Sequence, residues 1–209
     1  MAIDIGANIG LWTSQLIKNL EVLSRNKSLV VPHLKHCLLV EPSKFNCIKL
    51  REKFKFISEI EVLNIAVSNY NGVGHLCALS QGDLAGTIKK REMDSHQNCE
   101  SVAVIQCNNL LERFPNTNCL KLDTEGSEFE ILSNISLLNT SIKIIQFEFG
   151  NPPYNHDSNK FFQDYFNLFS SNNWKLFRIS PKFLIPIAKY STELENRMPS
   201  NYLAVNNNY

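Results

Sequence analysis

The opening segment, Met1-Ala2-Ile3-Asp4-Ile5-Gly6-Ala7-Asn8-Ile9-Gly10, limits the fold more than any other part of the chain. A short apolar run meets two glycines set around an asparagine. A helical pattern follows, with Leu11, Ile17, Leu20 and Leu23 on related faces. Strand, tight turn and helix in that order begin an α/β fold that binds ligands at the carboxyl ends of its strands. Gly6 and Gly10 let the backbone turn sharply and approach a ligand without a Cβ. Asn8 is the non-glycine type that best tolerates positive φ. A plain strand-to-helix turn would use the same residues, so the loop alone does not define a site.

The remaining pattern extends the theme. His36 to Val40 reads as a buried strand ending at Glu41-Pro42, and Ser43 caps a helix running through Phe54. Glu61 to Val67 is a third strand, and Gly72 to Leu79 is a hairpin arm. Residues 80 to 100 are polar and read as a long loop or lid. Val102 to Cys107 and Cys119 to Leu122 are strands, with a short helix over Asn109 to Phe114 between them. Asp123-Thr124-Glu125-Gly126 turns into a helix over Ser127 to Ile135. Ile142 to Phe149 is a strand. A helix capped by Ser158 carries Phe161, Phe162, Tyr165, Phe166 and Phe169, which read mostly as core. Trp174 to Ile179 and Tyr202 to Val205 close the pattern as an antiparallel pair at one edge. The alternation predicts an α/β fold with a mainly parallel sheet. The 209 residues read as one domain, 1–209, with a hairpin or lid insertion at 70–107.

Lysine plus arginine number 21 and aspartate plus glutamate 20, a net charge of +1, so no basic excess marks a nucleic-acid partner. No apolar run reaches the ~20 residues of a membrane span. The six cysteines show no metal-ligand spacing and are read as free thiols. With no signal peptide at the start, this predicts a cytoplasmic protein.

The loop does not match the G-x-G-x-x-G of dinucleotide sites. Asp4 stands at the strand end, where a carboxylate repels a pyrophosphate and attracts a cation. S-adenosylmethionine, with an ammonium and a sulfonium, suits such a site. Glu41 ends the second strand, where a carboxylate accepts ribose hydroxyls in related α/β folds.

Together with Asn64-Ile65-Ala66-Val67-Ser68 and Leu120-Lys121-Leu122-Asp123-Thr124-Glu125-Gly126-Ser127-Glu128, these segments resemble the successive motifs of the FkbM-type S-adenosylmethionine-dependent methyltransferases. Asn201-Tyr202-Leu203-Ala204-Val205 is similar to that family's last strand. The resemblance implies a Rossmann-like class I methyltransferase: a mostly parallel seven-stranded sheet, an antiparallel edge strand and helices on both faces. It implies O-methylation of a sugar, glycan or other small hydroxylated acceptor. It places Asp4, Gly6, Asn8 and Gly10 in the cofactor loop, Glu41 and Pro42 at the ribose, and Ala66, Val67 and Ser68 beside the adenine. Family members usually carry sequence ahead of the first strand, whereas here that strand starts at Met1. A compact form and a start lying upstream both fit this departure.

Methyl transfer needs in-line alignment and a group that takes the acceptor's proton. Asp123 and Glu148, at the ends of neighbouring strands, are the candidate bases, with His156 ranked behind them. Turn and N-cap chemistry suits Asp123 equally well. Glu128 reads as a partner of its helix N-terminus. Asp123, Glu148 and Asn151 also suit a shared Mg²⁺, which the sequence does not require. Asn151-Pro152-Pro153-Tyr154 matches the signature of methyltransferases acting on adenine or glutamine amino groups, but it follows the fifth core strand instead of the fourth. Three other readings remain: that N-methyltransferase, a nicotinamide oxidoreductase, and an inactive or truncated binding protein of the same fold.

Overall fold

The structure is a computed structural model that describes residues 1–28, 31, 33–78, 87–89, 98–138, 140–150, 160–195 and 198–208. The chain divides into two compact units. One is Met1–Val67 with Asn71–Ile105, and the other is Ser68–Tyr70 with Gln106–Tyr209.

In the first unit β1 (Ala2–Ile5), β2 (Cys37–Val40) and β3 (Ile60–Leu63) pair in parallel, in that spatial order. Every residue of β1 and β2 is buried, as expected of parallel strands covered on both faces. The crossovers are α1 (Leu11–Ser24) and α2 (Lys44–Lys53). Ser43 caps α2 by accepting the Asn46 N–H at 3.3 Å, in line with its capping chemistry. The register sets Ile5, Val40 and Leu63 side by side, so the chain leaves β1 and β2 at one level.

Two details depart from the sequence pattern. The apolar run Glu61 to Val67 is broken: β3 stops at Leu63, and β4 (Ala66–Ser68) belongs to a separate sheet of order β4-β7-β5-β6. Asn64 makes the break, its side chain donating to the carbonyls of Glu41 (3.1 Å) and Pro42 (2.7 Å). On α1, Leu11 and Leu23 are 67% and 45% exposed, whereas Thr13 is buried.

The second sheet holds β5 (Gly72–Ala78), β6 (Thr87–Lys89) and β7 (Asn98–Gln106), with β5 antiparallel to both neighbours. The expected loop or lid at 80 to 100 falls largely outside the described residues. Cys99 is disulfide-bonded, which corrects the reading of all six cysteines as free thiols. Antiparallel pairing sets Cys77 opposite Cys99 in the register, a proximity that sequence spacing does not reveal. Cys37, Cys47, Cys107 and Cys119 are free.

The second unit contains α3 (Cys107–Arg113), β8 (Cys119–Leu122), α4 (Glu128–Ser133), β9 (Ile144–Phe149), α5 (Phe162–Ser171), β10 (Trp174–Ile179), β11 (Leu184–Ile187) and β12 (Ser200–Asn206). β8 and β9 are parallel. β12 runs antiparallel to both β9 and β10 and lies between them, so the antiparallel pair of β10 and β12 expected at the edge sits one place further in. The outer place beside β10 is taken by β11, which the sequence pattern does not flag. The core is aromatic. Phe162, Tyr165 and Phe169 recur at helical spacing on α5 and are fully buried. Phe147 of β9 stacks on Tyr165 at 5.1 Å and on Tyr202 of β12 at 5.7 Å. Phe161 falls off this face and is 62% exposed.

Candidate active site

The turn after β1 takes its shape from three positive φ angles, 74° at Gly6, 51° at Asn8 and 71° at Gly10. Four of its amides are committed within the protein. Gly6 N and Ala7 N donate to the Val40 carbonyl at 2.9 and 3.2 Å, and Gly10 N donates to the Ala7 carbonyl at 2.8 Å. Asn8 N donates to Glu41 Oε2 at 2.8 Å. A phosphate cradle needs these N–H groups turned towards its ligand. This loop instead turns three of them, those of Gly6, Ala7 and Asn8, to the end of β2.

Two carboxylates anchor that arrangement. Asp4 is fully buried, and its Oδ2 accepts the Thr13 hydroxyl at 2.7 Å, tying β1 to the first turn of α1. Glu41 is 5% exposed, and its Oε1 accepts the Ser43 N–H at 3.0 Å. Burial pushes the Glu41 carboxyl above the usual range. The donors Ser43, Asn8 and Asn46 pull it back, and the negative charge of Asp4 pushes it up again. Glu41 therefore feels the charge of Asp4. Cys47 lies under the same corner, donating to the Glu41 carbonyl at 3.1 Å, and its thiol is pushed up to about 11, first by burial and then by Glu41.

Glu41 retains acceptor capacity, since a carboxylate offers about four lone-pair positions. Asn46 is buried beside it, and its Oδ1 has no hydrogen-bond partner among the described residues. A carboxylate and an amide oxygen, both seeking donors, fit a vicinal diol. With the committed loop amides and buried Asp4, they fit the ribose and cationic parts of S-adenosylmethionine better than a pyrophosphate.

The expected loop and ribose residues are not all used alike. Asp4, Gly6, Asn8 and Glu41 form the network just described. Gly10 serves packing: a Cβ there would stand 2.6 Å from Phe54 Cε2 and 2.8 Å from Leu50 Cδ2. Pro42 is held through its carbonyl by Asn64. Ala66, Val67 and Ser68 are buried in β4, and Ser68 begins the other compact unit. Thr13, Asn46 and Lys53 were not singled out by sequence. Lys53 Nζ donates to the carbonyls of Ile9 (2.9 Å) and Gly10 (3.1 Å), closing the far side of the turn. Asn64 and Lys121, polar residues inside apolar runs, carry a signal of their own in the sequence.

The second unit holds a separate cluster at the ends of β8 and β9. Asp123 and Glu148 lie one position past the Leu122–Phe147 register pair, and their side chains share a hydrogen bond. Buried Lys121 pairs with Asp123 Oδ2 at 3.2 Å. Burial, then the charges of Asp123 and Glu125, raise the Glu148 carboxyl to about 7. The raised Glu148 carboxyl thus lies hydrogen-bonded to Asp123 beside the Lys121 cation. Fully buried Glu128 accepts from Thr124 N, Thr124 Oγ1 (2.9 Å) and Gly126 N (3.0 Å), and so folds the turn in which Glu125 takes a φ of 56°. His156, Asn151 and the Asn151–Tyr154 signature lie outside the described residues. Among the described residues, no group of three or more His, Cys, Asp or Glu side chains is placed to hold a metal ion. No described helix is long and apolar enough to cross a membrane.

Comparison with known proteins gives these arrangements a context. The model of the methyltransferase FkbM domain matches residues 4–175. No curated protein matches the chain. Among solved structures, the methyltransferase FkbM from Methylobacillus flagellatus KT superposes with a TM-score of 0.53 at 15% identity, over 97% of this chain and 42% of that one. The methyltransferase domain of bacterial CtHen1-C gives a TM-score of 0.48 at 11% identity, over 98% and 88%. The precorrin-6y C5,15-methyltransferase from Geobacter metallireducens GS-15 gives 0.46 at 9%, over 98% and 78%. The chain therefore spans less than half the length of the FkbM structure it matches. The first likeness shows the fold, an α/β architecture with a large, mostly parallel sheet and helices.

Proposed function

As the chain belongs to the FkbM methyltransferase family, we propose that it transfers a methyl group from S-adenosylmethionine to a hydroxyl of a sugar, glycan or other small molecule. The observation that carries this reading is the corner where Asp4 and Glu41 sit together under a turn that commits the Gly6, Ala7, Asn8 and Gly10 amides within the protein. Negative charge, with four loop amides turned into the protein, suits a cationic donor with a diol.

S-adenosylmethionine supplies a methyl on a sulfonium, so attack by the acceptor oxygen forms a C–O bond as the C–S bond breaks. Glu41 and Asn46 hold the ribose hydroxyls. Asp4 contributes negative charge and holds the start of α1 through Thr13. The Asp123–Glu148 pair is assigned to the acceptor's proton, with Glu148 exchanging it and Lys121 beside Asp123. Ala66, Val67 and Ser68 are assigned to the adenine.

Calorimetry with S-adenosylhomocysteine and with NAD tests the cofactor, with binding of the former alone expected. Binding of NAD alone would reject the reading. Labelled S-adenosylmethionine offered with sugars, peptides and oligonucleotides tests the acceptor. Label confined to adenine would replace O-methylation with N-methylation.

A further inference from the structure

We propose that the β10–β11 hairpin docks the protein on an anionic lipid surface. The hairpin is closed by Ser180 N donating to the Phe183 carbonyl, and β11 then runs as an outer strand paired only to β10 among the described residues. Phe183, Leu184 and Ile185 are 62%, 46% and 39% exposed. Consecutive strand residues point to opposite faces. Exposure of Leu184 and Ile185 together therefore means that both faces of β11 are partly open.

Charge selects the occupant. From Tyr165 to Thr192 the sequence contains Lys175, Arg178, Lys182 and Lys189 and no acidic residue, in a chain whose net charge is only +1. Lys182 precedes the exposed apolar residues at the tip. Lys189 and Lys175 lie at the other end, just beyond the Ile187–Leu176 register pair. All three lysines are exposed, whereas Arg178 is half-buried and donates to Ser200 Oγ at 3.2 Å. The acids that flank the stretch are Asp164, which accepts the Phe161 N–H, exposed Glu193, and Glu195, engaged by Phe162 N, Gln163 N and the Tyr190 hydroxyl. An apolar strip with cations at both ends matches a bilayer surface, where aromatic and aliphatic groups enter the acyl boundary and lysines meet anionic headgroups. A second copy adding a strand is opposed by Pro186, which lacks the N–H that edge pairing needs.

Co-sedimentation of the chain with phosphatidylcholine vesicles, with and without phosphatidylserine, tests this. Binding is expected only to the anionic vesicles and should weaken as salt rises. Joint replacement Phe183→Ser and Leu184→Ser should lower the partition constant roughly tenfold or more. Joint replacement Lys182→Glu and Lys189→Glu, at exposed positions that do not endanger folding, should lower it by roughly fivefold per lysine. Circular dichroism checks that both variants remain folded. The proposal is overturned if the chain ignores anionic vesicles, binds both kinds equally, or keeps its affinity in both variants. It is also overturned if ultracentrifugation shows a dimer that the serine variant dissolves without any vesicle binding.

Discussion

At the scale of single residues, the two carboxyl sites make separable predictions. Asp4→Asn and Glu41→Gln each remove charge from a buried acceptor without changing its size. A hydrogen bond to a charged group contributes about 1.5–3 kcal/mol, so each change should weaken S-adenosylhomocysteine binding roughly tenfold to a hundredfold by calorimetry. Glu148→Gln should leave that binding intact and slow turnover roughly a hundredfold or more. The sign of its pH dependence follows from the raised carboxyl. Glu148 is protonated below about 7 and accepts a proton only above it, so turnover should rise as pH passes 7, and the variant should lose that limb. Stability runs the other way. The contribution of a carboxyl raised from 4.5 to about 7 is complete below 4.5 and lost as pH climbs through 7. Melting midpoints should therefore fall across that interval in the parent and remain flatter in the variant.

At the scale of elements, α1 and α2 meet at a glycine. Gly10→Ala would place a methyl against Phe54 and Leu50 at a φ of 71°, so strain and overpacking should act together. About 1–2 kcal/mol for the left-handed backbone and about 1–3 for the forced contact should appear as a lowered denaturant midpoint. Adding Phe54→Leu should recover only the packing share. Elements with strong local signals were legible in the sequence, including the apolar run of β2, the Ser43 cap and the spacing on α5. β11 was not, because a proline inside Leu184–Ile187 speaks against a strand unless the strand lies at an edge. The division of β3 from β4 depends on Asn64 reaching two distant carbonyls, which no local pattern encodes. At the proposed site, Asp4 and Glu41 stand out in the sequence at strand ends, whereas Thr13 reads as an ordinary helical residue until the fold turns it towards Asp4.

At the scale of the whole molecule, a ligand held only by the folded chain must stabilise it. At about 100 times its dissociation constant, S-adenosylhomocysteine should add about 2.7 kcal/mol. A thermal shift should record a raised midpoint with it and no change with NAD. Loss of that shift in Asp4→Asn, with the unliganded melting curve preserved, would separate a missing ligand contact from a damaged fold.

The seat of β12 between β9 and β10 sets an order of events during synthesis. Those two strands emerge from the ribosome well before residues 200–206 and cannot complete their ladders until these arrive. In the interval both present open edges, which chaperones or a neighbouring nascent chain would recognise. A stop codon ahead of Ser200 would make that interval permanent, converting a brief exposure into an aggregation hazard.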